Sequence, residues 1–83
     1  MQDQISIEQI FENLSSKSPE IITRKKLHEL TGGLVSEKTL ANLDSEGTGI
    51  QPRIRIGGKV AYPKGAAIAW LKSRIKVEVH YVK

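Results

Sequence analysis

Arg53, Arg55 and Lys59 alternate with Ile54 and Ile56 around the pair Gly57-Gly58. Cations at that spacing neutralise phosphates, and arginine also suits the narrow minor groove of A·T tracts. A second group, Lys38, Thr39 and Asn42, follows Ser36 at helical spacing. An asparagine amide can bond adenine in bidentate fashion, while lysine and threonine reach a guanine edge or a phosphate. Ser36 is a candidate N-cap, and a helix start there presents backbone N–H groups to a phosphate. Arg24, Lys25 and Lys64, each near the start of an expected helix, complete the candidate set as phosphate contacts. Glu37, Asp44 and Glu46 oppose this chemistry, because carboxylates repel phosphates.

Other chemistries find little footing. There is no cysteine, which removes disulfides, thiolate nucleophiles and Cys-based zinc sites and is compatible with a reducing cytoplasm. His28 and His80 are far apart and lack the neighbours of a metal set. Gly57-Gly58 lacks a strand-to-helix context, so it is not a phosphate loop of the nucleotide-binding kind. No Ser-His-acid arrangement can be assembled. The expectation is therefore a non-enzyme without cofactor, metal or small-molecule substrate. Trp70 and Tyr62 read as core residues, the latter with its hydroxyl reaching water.

The 83 residues suit one compact domain, and 39% hydrophobic with 27% charged residues is a globular composition. The acidic N-terminus has no apolar run of the signal-peptide type, and no stretch approaches a bilayer span. Charge is divided unevenly. Residues 1–46 hold five Lys/Arg against eight Asp/Glu, net −3, whereas residues 47–83 hold eight against one, net +7. The second half is suited to a polyanion.

These side chains need elements to hold them. Ser6 and Gln9 fit a capping box, with Ile7, Ile10, Phe11 and Leu14 at helical spacing, so a short helix is expected to end near Leu14, followed by a turn at Ser15–Pro19. This helix can pack on the rest of the chain or on a second copy. Thr23 then caps a helix over Arg24–Thr31, with Ile22 and Leu27 as a hydrophobic staple and Gly32-Gly33 as its stop. Ser36 repeats the pattern, with Leu40 and Leu43 buried and Gly47 as the stop; Lys38, Asn42 and Ser45 then face outward. Two short helices joined by a Gly-containing turn form a helix-turn-helix.

A hairpin follows. A loop of three residues, Gly57 to Lys59, would set Ile56 opposite Val60 and Ile54 opposite Tyr62, with both arginines on the other face. A two-residue loop would set Arg55 opposite Val60 instead. Amphipathicity favours the first. Pro63 suits the start of a last helix over Lys64–Lys76, with Ile68, Leu71 and Ile75 as its apolar stripe and Trp70 at the margin. The tail from Val77 to Val82 is β-prone.

From Thr23 to Leu71 the chain resembles the excisionase and AlpA-type group of MerR-like winged-helix DNA-binding proteins. The likeness is carried by Ile22-Thr23-Arg24-Lys25-Lys26-Leu27, Val35-Ser36-Glu37-Lys38-Thr39-Leu40, the run from Arg53 to Tyr62, and Ala69-Trp70-Leu71. It departs from the group in an extra glycine at Gly32-Gly33 and in its two terminal extensions. The resemblance implies an α+β winged helix-turn-helix: a two-helix unit, a β-hairpin wing and a C-terminal helix, here with an extra short N-terminal helix. The expected organisation is an N-terminal helix and linker (1–18), a DNA-binding domain (19–76) and a tail (77–83). It also implies a cytoplasmic, nucleoid-associated factor of a phage or mobile element that binds double-stranded DNA. Such a factor acts in recombination directionality or transcription, beside an integrase or a second copy of itself. The alternative is a winged-helix protein-interaction module without DNA binding, suggested by the acidic first helix and the β-prone tail.

Overall fold

The computed structural model describes residues 7–76 and Glu78. They form α1 (Ile7–Lys17), β1 (Ile21–Thr23), α2 (Arg24–Leu30), α3 (Glu37–Glu46), β2 (Ile54–Ile56), β3 (Lys59–Pro63) and α4 (Lys64–Arg74). The strands make one antiparallel sheet in the order β1-β3-β2, so the fold is α+β. The Ser6 cap and the 77–83 strand expectation lie outside the described residues, Glu78 apart.

α1 runs one turn beyond the expected stop at Leu14. Ser15 and Ser16 stay helical, and the stop is imposed by Pro19, which disfavours helical geometry at Ser18. The Ser18 hydroxyl then closes the end by donating to the Leu14 carbonyl. Phe11 is the buried residue of this helix, and it packs into the same core as Leu71. Lys72 of α4 lies over the Phe11 ring, 5.8 Å from its centroid. The helix therefore packs on the rest of this chain.

β1 is an element that residue spacing does not reveal, because three residues are too few to show a period of two. Ile22 pairs with Tyr62 at the middle of the sheet, and both are fully buried. Around them the core gathers Phe11, Leu27, Leu40, Ile50, Ala67 and Leu71. Leu30, Ile68, Trp70 and Ile75 border it, half-buried. Burying side chains of this size contributes about 1.5–3 kcal/mol each, the main favourable term in so small a domain.

The connection between α2 and α3 is held by side chains. Gly32 and Gly33 take positive φ, 65° and 86°. The Thr31 hydroxyl shares its one proton between the Leu27 and His28 carbonyls and accepts the Val35 N–H. His28 Nδ1 is 2.9 Å from the Val35 carbonyl, which only accepts, so Nδ1 carries the proton. That bond ties the end of α2 to the residue before the α3 cap.

The hairpin differs from the amphipathic expectation. Its register pairs Ile54 with Ala61, Arg55 with Val60 and Ile56 with Lys59, so the loop is the two residues Gly57-Gly58. Opposed residues share a face. Arg55 thus lies on the side of Val60 and Tyr62, while Ile54 and Ile56 lie on the other with Lys59 and Ala61. The turn decides the register: Gly57 has φ 59°, the positive value that primed two-residue turns need at their first position. Only three β2 residues pair, so few side-chain contacts stand against that preference.

Candidate nucleic-acid interface

α3 begins at Ser36, whose Oγ accepts the Thr39 N–H at 3.0 Å and donates to Thr39 Oγ1 at 2.9 Å. It ends at Gly47, in the left-handed conformation with φ 81°. Leu40 is buried, which turns Lys38, Thr39, Asn42 and Ser45 to the solvent as their spacing requires. The Ser36 hydroxyl is spent on Thr39, whose own hydroxyl proton stays free; Lys38, Asn42 and Ser45 face outward with no side-chain hydrogen bond among the described residues.

Asp44 is not an exposed acid. Four residues after Leu40, it shares that buried face, and it is only 6% exposed. Arg24 Nη2 donates to Asp44 Oδ2 at 2.7 Å, and the Tyr62 hydroxyl donates to the same oxygen at 2.6 Å. Arg24 Nε donates in turn to the Tyr62 oxygen at 3.1 Å. The triad joins α2, α3 and β3 at one point. It removes one of the three acids that opposed a phosphate-facing surface and overturns the expectation that the Tyr62 hydroxyl reaches water. The Asp44 carboxylate, bonded to Arg24, holds the guanidinium pKa above its ordinary value. Burial, followed by the bond to Asp44, raises that of Tyr62.

Gly49 belongs to this arrangement. A Cβ there would collide with Asp44 Oδ1 and come within 3.1 Å of the Asp44 backbone nitrogen. The glycine lets the segment after α3 pass directly over the carboxylate.

The candidate cations fall into three groups. Arg24 is spent on Asp44. Arg53 and Lys64 each reach a carbonyl at 3.5 Å, that of Asp44 and that of Ser18 respectively, long contacts that leave most of their donors open. Lys25, Lys38, Arg55 and Lys59 are exposed, with no hydrogen bond or ion pair among the described residues. An open cleft of about 470 Å³ is lined by Arg24, Lys25 and Lys59 together with Thr23, Glu37, Gly58 and Val60. It brings the start of α2 and the hairpin tip together beside the start of α3. Lys64 is set apart, because it begins α4 at the end of β3 opposite the tip.

Arg53, the residue before β2, reaches the Asp44 carbonyl at 3.5 Å and so links the entry to the hairpin with the last turn of α3. Between Gly47 and Lys76 there is no acidic residue. Asp44 and Gly49 are the residues that spacing had not marked as part of this framework. The available signal was the placement of Asp44 on the face of Leu40. No helix among the described residues is long and apolar enough to cross a membrane. Compared with family models, curated proteins and solved structures, the chain matches none of them.

Proposed function

We propose that the chain is a winged helix-turn-helix protein that binds double-stranded DNA. In this reading α2 and α3 are the helix-turn-helix, and α3 enters the major groove with Lys38, Thr39 and Asn42. The β2–β3 hairpin is the wing, meeting the adjoining backbone and minor groove with Arg53, Arg55 and Lys59. Lys25 adds a phosphate contact at the start of α2. The carrying observation is the joint between these parts: the exposed face of α3 is held beside an acid-free hairpin by Asp44, Tyr62 and Arg53. Groove and backbone contacts have to be made together, so a fixed angle between helix and wing favours binding.

The biological role follows from the sequence resemblance: an excisionase-like directionality factor or small transcriptional regulator, working with a recombinase or a second copy on DNA in the nucleoid. The test is titration of duplex DNA at rising salt. Affinity should fall steeply, because each neutralised phosphate releases counterions. Absence of binding at low salt overturns the reading in favour of a protein-interaction module. In that case the exposed Glu8 and Glu12 of α1 are the surface to examine.

A further inference from the structure

β2 lies at the edge of the sheet, with β3 on one side and no strand among the described residues on the other. The two-residue turn closes on the pair Ile56 and Lys59, which makes Arg55 and Val60 a non-hydrogen-bonded pair. The backbone N–H and C=O of Arg55 therefore point out of the sheet, toward the open edge. Ile54 and Ile56 stand on the face away from Tyr62 and neither belongs to the core; Ile56 is 70% exposed. The Arg55 side chain is on the opposite face and has no ion pair among the described residues. The edge thus offers a short template, apolar, cationic and apolar, with a donor and an acceptor unused at its centre. An open edge of this kind is a pairing site for another strand.

The same chain carries the complement. Ile75, Val77, Val79 and Tyr81 alternate with Lys76, Glu78 and His80, the period of a strand. Ile75 caps α4 with φ −86° and ψ 133°, so the chain leaves the helix in extended form. Glu78 is the one acid after Glu46, and a valine stands on each side of it. Laid along β2 with Glu78 beside Arg55, this segment sets Val77 and Val79 beside Ile54 and Ile56, whichever way it runs. A slip by one residue would set Glu78 against an isoleucine, so charge and burial select the same register. Within one copy the contact is not made: Glu78 is exposed, lies in no strand and has no ion pair among the described residues.

We infer that two copies of this chain exchange these segments, residues 77–79 of each adding a strand to β2 of the other. Each exchange spends one Arg55 on one Glu78 and covers the edge formed by Ile54 and Ile56. The exchanged form therefore holds a cation back from phosphate and places a carboxylate beside the hairpin, so it and the DNA-bound form exclude each other. That second step rests on the DNA-binding reading; the exchange itself does not. It differs from two copies lying side by side on DNA, because here the duplex separates the pair.

The test is sedimentation equilibrium of the full chain at low salt, over concentrations from about micromolar to about millimolar. The parent protein should be a dimer at the upper end. Arg55→Glu and Glu78→Arg each bring like charges together at both contacts, and each should weaken dimerisation at least about tenfold. Mixed in equal amounts, the two variants should associate as the parent does, because each exchanged segment then meets the opposite charge on the other copy. That rescue also shows that both variants are folded. A short duplex added to the parent dimer should dissociate it.

A parent protein that stays monomeric overturns the exchange, as do variants that dimerise as tightly as the parent. A mixture that associates no better than its components overturns it too. A dimer that persists on DNA overturns the exclusion and keeps the exchange. A parent protein that binds no duplex at low salt removes the DNA-binding reading and the exclusion with it, while the mixing result still decides the exchange.

Discussion

The Tyr62 hydroxyl donates to Asp44 Oδ2 at 2.6 Å, which ties the middle strand of the sheet to the last turn of α3. Arg24 meets the same oxygen, and its side chain is 24% exposed against 3% for Asp44. The carboxylate is thus the buried partner, and the cost of breaking the triad depends on which group is removed. Arg24→Met strands a buried charge, which should cost about 2–3 kcal/mol given that the pair still borders water. Tyr62→Phe removes the hydrogen bond to the Asp44 carboxylate and the one accepted from Arg24 Nε but leaves the ion pair, and should cost about 1–2 kcal/mol. Urea midpoints should fall in the order parent, Tyr62→Phe, Arg24→Met. An unchanged midpoint for Arg24→Met would show that water already solvates the carboxylate.

Alkaline pH acts on the same joint. The folded state raises the pKa of Tyr62 above its ordinary value of 10.0, first by burial and then by the bond to Asp44. Above pH 10 the unfolded chain releases this proton while the folded chain retains it. Stability is therefore full below that pH and declines as pH rises toward the folded value. Thermal midpoints of the parent protein should drop through this window. Tyr62→Phe, with no proton to lose, should start lower and drop less. Parallel curves for the two proteins would exclude Tyr62 as the source.

Three glycines should respond differently to a single methyl group. At Gly49 the new Cβ collides with a carboxylate already fixed by Arg24 and Tyr62, so Gly49→Ala has to break the triad or displace the segment after α3. At Gly57 the methyl has room, and the penalty is the left-handed backbone, about 1–2 kcal/mol. At Gly58 neither penalty applies, and the stability should change by less than about 0.5 kcal/mol. Chemical denaturation of the three variants gives the ranking directly. A destabilised Gly58→Ala would mean that the tip needs both glycines for its own turn.

Much of this architecture is legible in the residues alone, and the reasons are local. Thr23 and Ser36 cap their helices through Lys26 N and Thr39 N, because a cap and its helix lie within four residues of each other. Leu40 fixes the outward face of α3 for the same reason. What spacing missed depends on distant partners. Asp44 looked like a solvated acid because Arg24 and Tyr62, 20 and 18 residues away, are not its neighbours in sequence. β1 is too short to show a period and exists by pairing with β3. The hairpin register departs from the amphipathic pattern because the turn preference of Gly57 outweighs amphipathicity in a three-residue strand.

The candidate cations should separate by position in the salt dependence of DNA binding. Arg55 and Lys59 are exposed at the hairpin with no hydrogen bond or ion pair among the described residues, so each is free to displace a counterion. Replacing each with Gln should lower the slope of log affinity against log salt by about 1, with a uniform loss across sequences. Lys64, at the far end of β3 and close to the Ser18 carbonyl, should leave the slope unchanged when replaced by Gln. Asn42→Ala should act differently again, keeping the slope and relaxing preference at one base position, because an amide reads an edge and carries no charge. Fluorescence anisotropy against a site selected from random duplexes measures all three effects. Equal slopes for Lys59→Gln and Lys64→Gln would show that DNA does not lie along the hairpin. An unaltered base preference in Asn42→Ala would show that α3 faces the backbone and not the bases.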